Sequence, residues 1–180
     1  PVPAPRAAAA DCASAVIGYF SDDHEIQNRL IDQLAGARHS VQLIAPELRN
    51  DALVEALTRA AGRGVTVQVC LDRSADLPAE TQLLLSHAGV VVLRPQAAGQ
   101  IGQHLVVIDR QFVFLATADW TNPDPQPRPE LALLVDSSGL ASVFDGEFQR
   151  LTHAAPAAPD GYAFELSREH HVSPLFAPPQ

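Results

Sequence analysis

Lysine and methionine are absent from the 180 residues, so all twelve basic side chains are arginines. Positive charge is scarce in total as well: the net charge is -9 and the isoelectric point lies near 5.1. Binding to nucleic acid relies on Lys and Arg displacing counterions from phosphates, and this balance argues against nucleic acid as a partner. No apolar run approaches the roughly 20 residues that cross a bilayer as a helix, so no transmembrane segment is expected. There is no P-loop, no dinucleotide-binding glycine pattern and no G-x-S-x-G. The histidines His24, His39, His87, His153, His170 and His171 show no H-E-x-x-H or other zinc spacing, and neither a metal nor a cofactor is expected.

What is present is globular: 47% hydrophobic and 18% charged residues, in a length suited to one domain with a real core. Residues 1–13 form a Pro/Ala-rich leader too poor in large apolar groups to pack by itself. That opening, without an initiator methionine, suits the region past a signal-peptide cleavage site or a boundary set in another way; the expectation is an exported protein, periplasmic or secreted. Two cysteines, Cys12 and Cys70, leave two readings open: a disulfide in an oxidising compartment, or a Cys70 that is a small buried hydrophobe. Residues 154–180 form a Pro-rich extension in which Tyr162, Phe164, Leu166 and Val172 supply enough apolar surface to lie against the domain or add a strand to a partner.

Between these ends, periodicity predicts an α/β domain over residues 14–153. Strands are expected at Ser14–Phe20, His39–Ala45, Val65–Leu71 and Val90–Leu93. Helices are expected at His24–Ala37, after an Asn50-Asp51 cap, at Ala79–Ala88 and at Leu140–His153. The opening βαβαβ order predicts a mainly parallel sheet with helices on both faces.

The stretch Gln100–Thr121 organises the rest. Leu105–Ile108 and Phe112–Leu115 flank Asp109-Arg110 as a hairpin, a polar cluster follows, and Glu130 opens a further strand. At these residues the chain resembles the phospholipase D superfamily, whose signature is H-x-K-x4-D, a strand, G-S-x-N-[WF]-T and a glutamate about nine residues on. Asp109 matches the motif aspartate, Trp120 and Thr121 the end of the second segment, and Glu130 the glutamate. Gly102 stands where the family has its nucleophilic histidine, His104 where it has lysine, Thr117 where it has serine and Asp119 where it has asparagine. With no lysine in the chain, no shift of register restores the motif.

The resemblance implies a mixed, mainly parallel phospholipase D-like sheet, and His104, Asp109 and Glu130 as what is left of the catalytic set. It also implies a homodimer, since single-motif members bring two motifs to one cleft. Because Gly102 has no side chain to attack phosphorus, the expectation is a catalytically inactive domain serving as a binding or assembly module with a protein partner. The alternative is a divergent phosphodiesterase using His104. As a structural histidine, His104 is expected to pair with Glu130 or Asp109; a His/Asp/Asp/Glu cluster holding a divalent cation is a weaker reading.

Overall fold

The computed structural model describes residues 15–21, 25–96, 100–122 and 129–153. The leader, Cys12, the Ser21-Asp22-Asp23 cap beyond Ser21, and the C-terminal extension therefore lie outside the described residues.

Alternating apolar side chains place β1 at Ala15–Ser21, and the spacing of Ile26, Leu30 and Leu34 makes α1, Glu25–Gly36, amphipathic with those three fully buried. β2, Ser40–Ala45, stops at Pro46. α2, Asp51–Gly62, begins where the Asn50 side chain accepts a hydrogen bond from Leu53 N at 2.8 Å, as the sequence predicts. Gly64, at φ 91°, then turns the chain into β3, Thr66–Leu71. α3, Ala79–His87, and β4, Val91–Leu93, complete the first half. The hairpin is β5, His104–Ile108, and β6, Phe112–Ala116. β7, Glu130–Asp136, leads into α4, Ser138–Thr152, which starts earlier than expected because the Ser137 hydroxyl accepts from Leu140 N and caps it.

The seven strands form one mixed sheet in the order β1-β7-β6-β5-β2-β3-β4. The mixed sheet with helices on both faces is as expected; its predominantly parallel character is not. Among the described residues only β2-β3 and β3-β4 pair in parallel, and the other four strand pairings are antiparallel. β1 does run in the same direction as β2, β3 and β4, but the antiparallel strand β5 occupies the place beside β2. β1 is left at the edge, paired with β7. Periodicity fixes the faces of a strand and leaves its neighbours open, which is where the parallel expectation failed.

One face packs under α1, α2 and α3, with Leu43, Phe114 and Trp120 fully buried. The other packs under α4, where Phe148 and Leu151 meet Ile44, Leu105 and Val113. Gln42 on that face donates from Nε2 to Asp145 Oδ1 at 2.7 Å, while its buried Oε1 has no hydrogen-bond partner among the described residues. Among the described residues, no helix is long and apolar enough to cross a membrane.

Candidate active site

The strand directions bring the carboxyl ends of β2 and β3 to the same margin as the start of β5, the end of β6 and the start of β7. That margin is where open α/β sheets receive ligands. It gathers His104, the segment Thr117–Thr121, Glu130, and two residues the motif does not name, Glu47 and Arg49.

His104 opens β5 opposite Ala116, with its side chain 11% exposed. Its Nε2 lies 3.2 Å from Asp119 Oδ1, a contact that becomes an ion pair only when the ring is protonated. The ring stands edge-on to Trp120 with centroids 5.8 Å apart. Burial lowers its pKa below the ordinary histidine value and outweighs the opposite pull of the Asp119 and Glu47 carboxylates, so the imidazole is neutral at pH 7. The expected partners of His104, Glu130 or Asp109, are therefore corrected to Asp119 and, more remotely, Glu47.

Asp109 does not join this group. β5 separates it from His104 by five residues, about 16 Å along an extended strand, and places it at the opposite margin of the sheet. There it accepts hydrogen bonds from the backbone amides of His39 (2.7 Å), Arg38 (2.9 Å) and Ser40 (3.0 Å). Burial alone would raise its pKa; the Ser40, His39 and Arg38 amides outweigh it and hold the carboxyl below its ordinary value. The motif aspartate thus ties the hairpin to the start of β2, and Asp109-Arg110 form the turn with φ of 54° and 53°.

The second motif segment is fastened backbone first. Thr117 Oγ1 accepts from Leu131 N at 3.0 Å, joining the end of β6 to the start of β7. The Asp119 carbonyl accepts from Gln27 Nε2 at 3.1 Å, while the Asp119 carboxylate is 57% exposed. Trp120 is fully buried, and its carbonyl accepts from Arg49 N at 2.7 Å and Asn50 N at 3.0 Å. The Thr121 carbonyl accepts from Asn50 Nδ2 at 3.0 Å. Asn50, which caps α2, thereby anchors the loop as well. Glu130, half-buried at the head of β7, falls on the same face as Ala132 and Leu134 by strand alternation, the face that also bears His104.

Gly102 lies exposed two residues before His104, and a Cβ built there meets nothing within 4 Å. The nearby cationic side chain, Arg49, is engaged by Glu47 at 3.2 Å and Asp76 at 3.6 Å. These three line a cavity of about 290 Å³ with Asp72 and Gln100. Asp72 is buried and accepts from Ser74 Oγ, Ser74 N and Ile101 N, and those bonds, Ser74's first, lower its pKa. Through Ile101 it pins the irregular segment that carries Gly102. Arg73 and Arg94 donate to backbone carbonyls, at Pro95 and Gln96 and at Asp72 and Ala75 respectively, so they brace the margin instead of facing the cavity. Among the described residues, no three of His, Cys, Asp and Glu gather in a metal-ligating group.

Residues 30–152 match the family model described as cardiolipin synthase, PLD-like domain. The chain belongs to that family. Among curated proteins, this PLD-like domain is 30% identical over 125 residues to a mitochondrial cardiolipin hydrolase of Xenopus laevis, covering 69% of the chain and 60% of that relative. The chain thus spans less than two thirds of that relative's length. Among solved structures it resembles Nuc from Salmonella typhimurium, a phospholipase D family member, with a TM-score of 0.65 and 16% identity over 76% of this chain and 93% of that one. NucT from Helicobacter pylori superposes with a TM-score of 0.63 and 18% identity over 76% and 96%. Both likenesses establish the fold.

Sequence reasoning missed Glu47, Gln27 and Arg49. Glu47 could have been found, because it follows the Pro46 stop at the carboxyl end of a parallel strand. Gln27 carried no such signal. Of the two cysteines, Cys70 is a fully buried free thiol whose pKa burial pushes up to about 11. Its pairing with Cys12 concerns a residue outside those described.

Proposed function

We propose that this PLD-like domain is catalytically inactive and serves as a binding or assembly module. The observation that carries the reading is Gly102: the position of the attacking imidazole holds no side chain and opens into free space. Nothing described at that margin replaces the missing groups. His104 is largely enclosed beside Trp120 and faces Asp119, and Arg49 is engaged by two carboxylates. A phosphodiester entering there meets negative charge, and each contact at about 4 Å costs on the order of 4 kcal/mol at an effective dielectric near 20. The acidic balance of the chain speaks against nucleic acid on the same ground.

One observation favours the other reading, a phosphodiesterase with His104 as nucleophile: burial keeps its imidazole neutral, the form that can attack phosphorus. Hydrolysis of bis(4-nitrophenyl) phosphate separates the two. The inactive reading expects no turnover above buffer; turnover abolished by His104→Ala, with a phosphohistidine trapped at that residue, overturns it.

A further inference from the structure

Asp119 is a carboxylate that the fold leaves without a counter-charge. Its neighbours at the open margin are provided for: Glu47 and Asp76 share Arg49, Glu25 pairs with Arg29, and Asp51 accepts from the Asn122 amide. Asp72 is filled by Ser74 and Ile101. Among the described residues, the Asp119 carboxylate meets the imidazole of His104 alone, and burial keeps that ring neutral. No cation offsets its charge.

A second group beside it lacks a partner of its own. Gln27, on α1, is 4% exposed, and its Nε2 donates to the Asp119 carbonyl at 3.1 Å, which fixes the amide against this residue. Its Oε1 has no hydrogen-bond partner among the described residues. A buried acceptor without a donor is a standing cost to the fold. Asp119 therefore has an uncompensated negative charge and an empty acceptor next to one another, and a single N–H donor that carries positive charge completes both.

The donor set narrows the ligand. No three of His, Cys, Asp and Glu gather among the described residues, so a metal ion finds too few ligands here. A quaternary ammonium has no N–H to give Gln27. A guanidinium binds best through two parallel bonds to one carboxylate, and Asp119 Oδ1 already faces His104 Nε2 at 3.2 Å. An ammonium, compact and with three donors, needs no such pair of free oxygens. The chain contains no lysine, so a second copy has no side-chain ammonium to offer. The Asp119 carboxylate also lies open at the margin, which suits a group carried on a larger molecule better than a free amine, since small ligands bind where they are enclosed.

We propose that the Asp119 carboxylate and the Gln27 amide oxygen receive the ammonium group of a lysine side chain on a protein partner. This rests on the reading of the domain as a binding module and names the chemistry of what it binds. Hydrolysis tests the cleft and ammonium binding tests this site, so either can fail without the other.

Trp120, which follows Asp119, is the single tryptophan of the chain, so its indole N–H gives one nitrogen–proton resonance that reports on the site. The whole 180-residue chain is titrated with a blocked pentapeptide that has lysine at its centre and alanine elsewhere, and therefore one charge. The expected result is a saturable shift of the indole signal in the millimolar range, because one exposed ion pair supplies little affinity. Asp119→Asn should weaken binding by roughly tenfold or more, and Gln27→Leu by roughly threefold or more. The same peptide with a trimethylated lysine keeps its charge and loses its N–H groups, so it tests the Gln27 bond in the unaltered chain; it should bind roughly threefold or more weakly. Ethylamine should bind more weakly than the peptide. Absence of a saturable shift, or binding unchanged by Asp119→Asn, overturns the proposal. Equal binding of the trimethylated peptide overturns the role of Gln27, and ethylamine binding as tightly as the peptide overturns the protein partner.

Discussion

The two ends of the β5–β6 hairpin both carry motif residues of the phospholipase D family, and they have fared differently. At the turn, Asp109 has the motif identity and receives three backbone amides of the β2 start. At the open end, the loop through Trp120 and Thr121 is held to Arg49 and Asn50 by its own carbonyls, while Gly102 and His104 stand where the resemblance sets a histidine and a lysine. The turn end is fastened to the scaffold by Asp109, and the inactive reading proposed above rests on what stands at the open end. Matching a motif therefore establishes a fold here without establishing a reaction.

If that division is correct, scaffold substitutions should be costly and open-end substitutions nearly silent. The largest effect is expected at Trp120, fully buried between His104 and Phe114. Trp120→Ala should lower stability by about 3–5 kcal/mol in urea unfolding, through lost burial and the cavity left behind. Asp109→Asn should cost about 2 kcal/mol at pH 7, since the carboxylate is the common acceptor of three amides. The folded pKa of Asp109 is lowered, so its contribution is complete above the ordinary value of 3.8 and disappears as pH falls through the depressed folded value. Wild type and Asp109→Asn should therefore converge in strongly acidic urea titrations. A constant gap down to the lowest pH would show that the charge is not what matters.

Much of this architecture was legible beforehand, for reasons that differ from element to element. The Asn50 cap, the α1 stripe and the hairpin about Asp109 rest on local chemistry, and they stand where periodicity put them. The place of β1 does not: its faces are readable from alternation, but whether β5 or β1 lies beside β2 depends on contacts far apart in sequence. At the site, spacing identified Gly102, His104, Thr117, Asp119, Trp120 and Thr121 but could not assign partners. It grouped Asp109 with His104 although a strand separates them, and it passed over Glu47, which approaches only because β2 ends beside β5.

A smaller effect sharpens the comparison at His104. Its folded pKa is lowered from 6.5 by burial, so below about pH 6.5 the unfolded chain takes up a proton that the folded imidazole refuses. Stability should thus fall as pH drops through that range. His104→Gln should flatten this part of the profile in thermal unfolding between pH 7.5 and about 5. A profile of unchanged slope would mean that the buried ring is not the group responsible.

The smallest effect is expected at Gly102, and there it is the absence of a cost that informs. Gly102 is exposed, and a Cβ meets nothing within 4 Å, so the scaffold sets no steric bar to a side chain at the position where the resemblance sets a histidine. Gly102→His should change stability by less than about 0.5 kcal/mol, the usual range for a surface site. It should not by itself confer hydrolysis, because the Asp119 and Glu47 carboxylates would still face the incoming phosphate with no lysine against them. Adding His104→Lys and Asp119→Asn to Gly102→His supplies an ammonium and removes one charge. Turnover of bis(4-nitrophenyl) phosphate by the triple variant, with none by Gly102→His alone, would locate the loss of chemistry in the cationic cradle as much as in the nucleophile. On the inactive reading, turnover by the single variant would make the absent imidazole the whole of the difference.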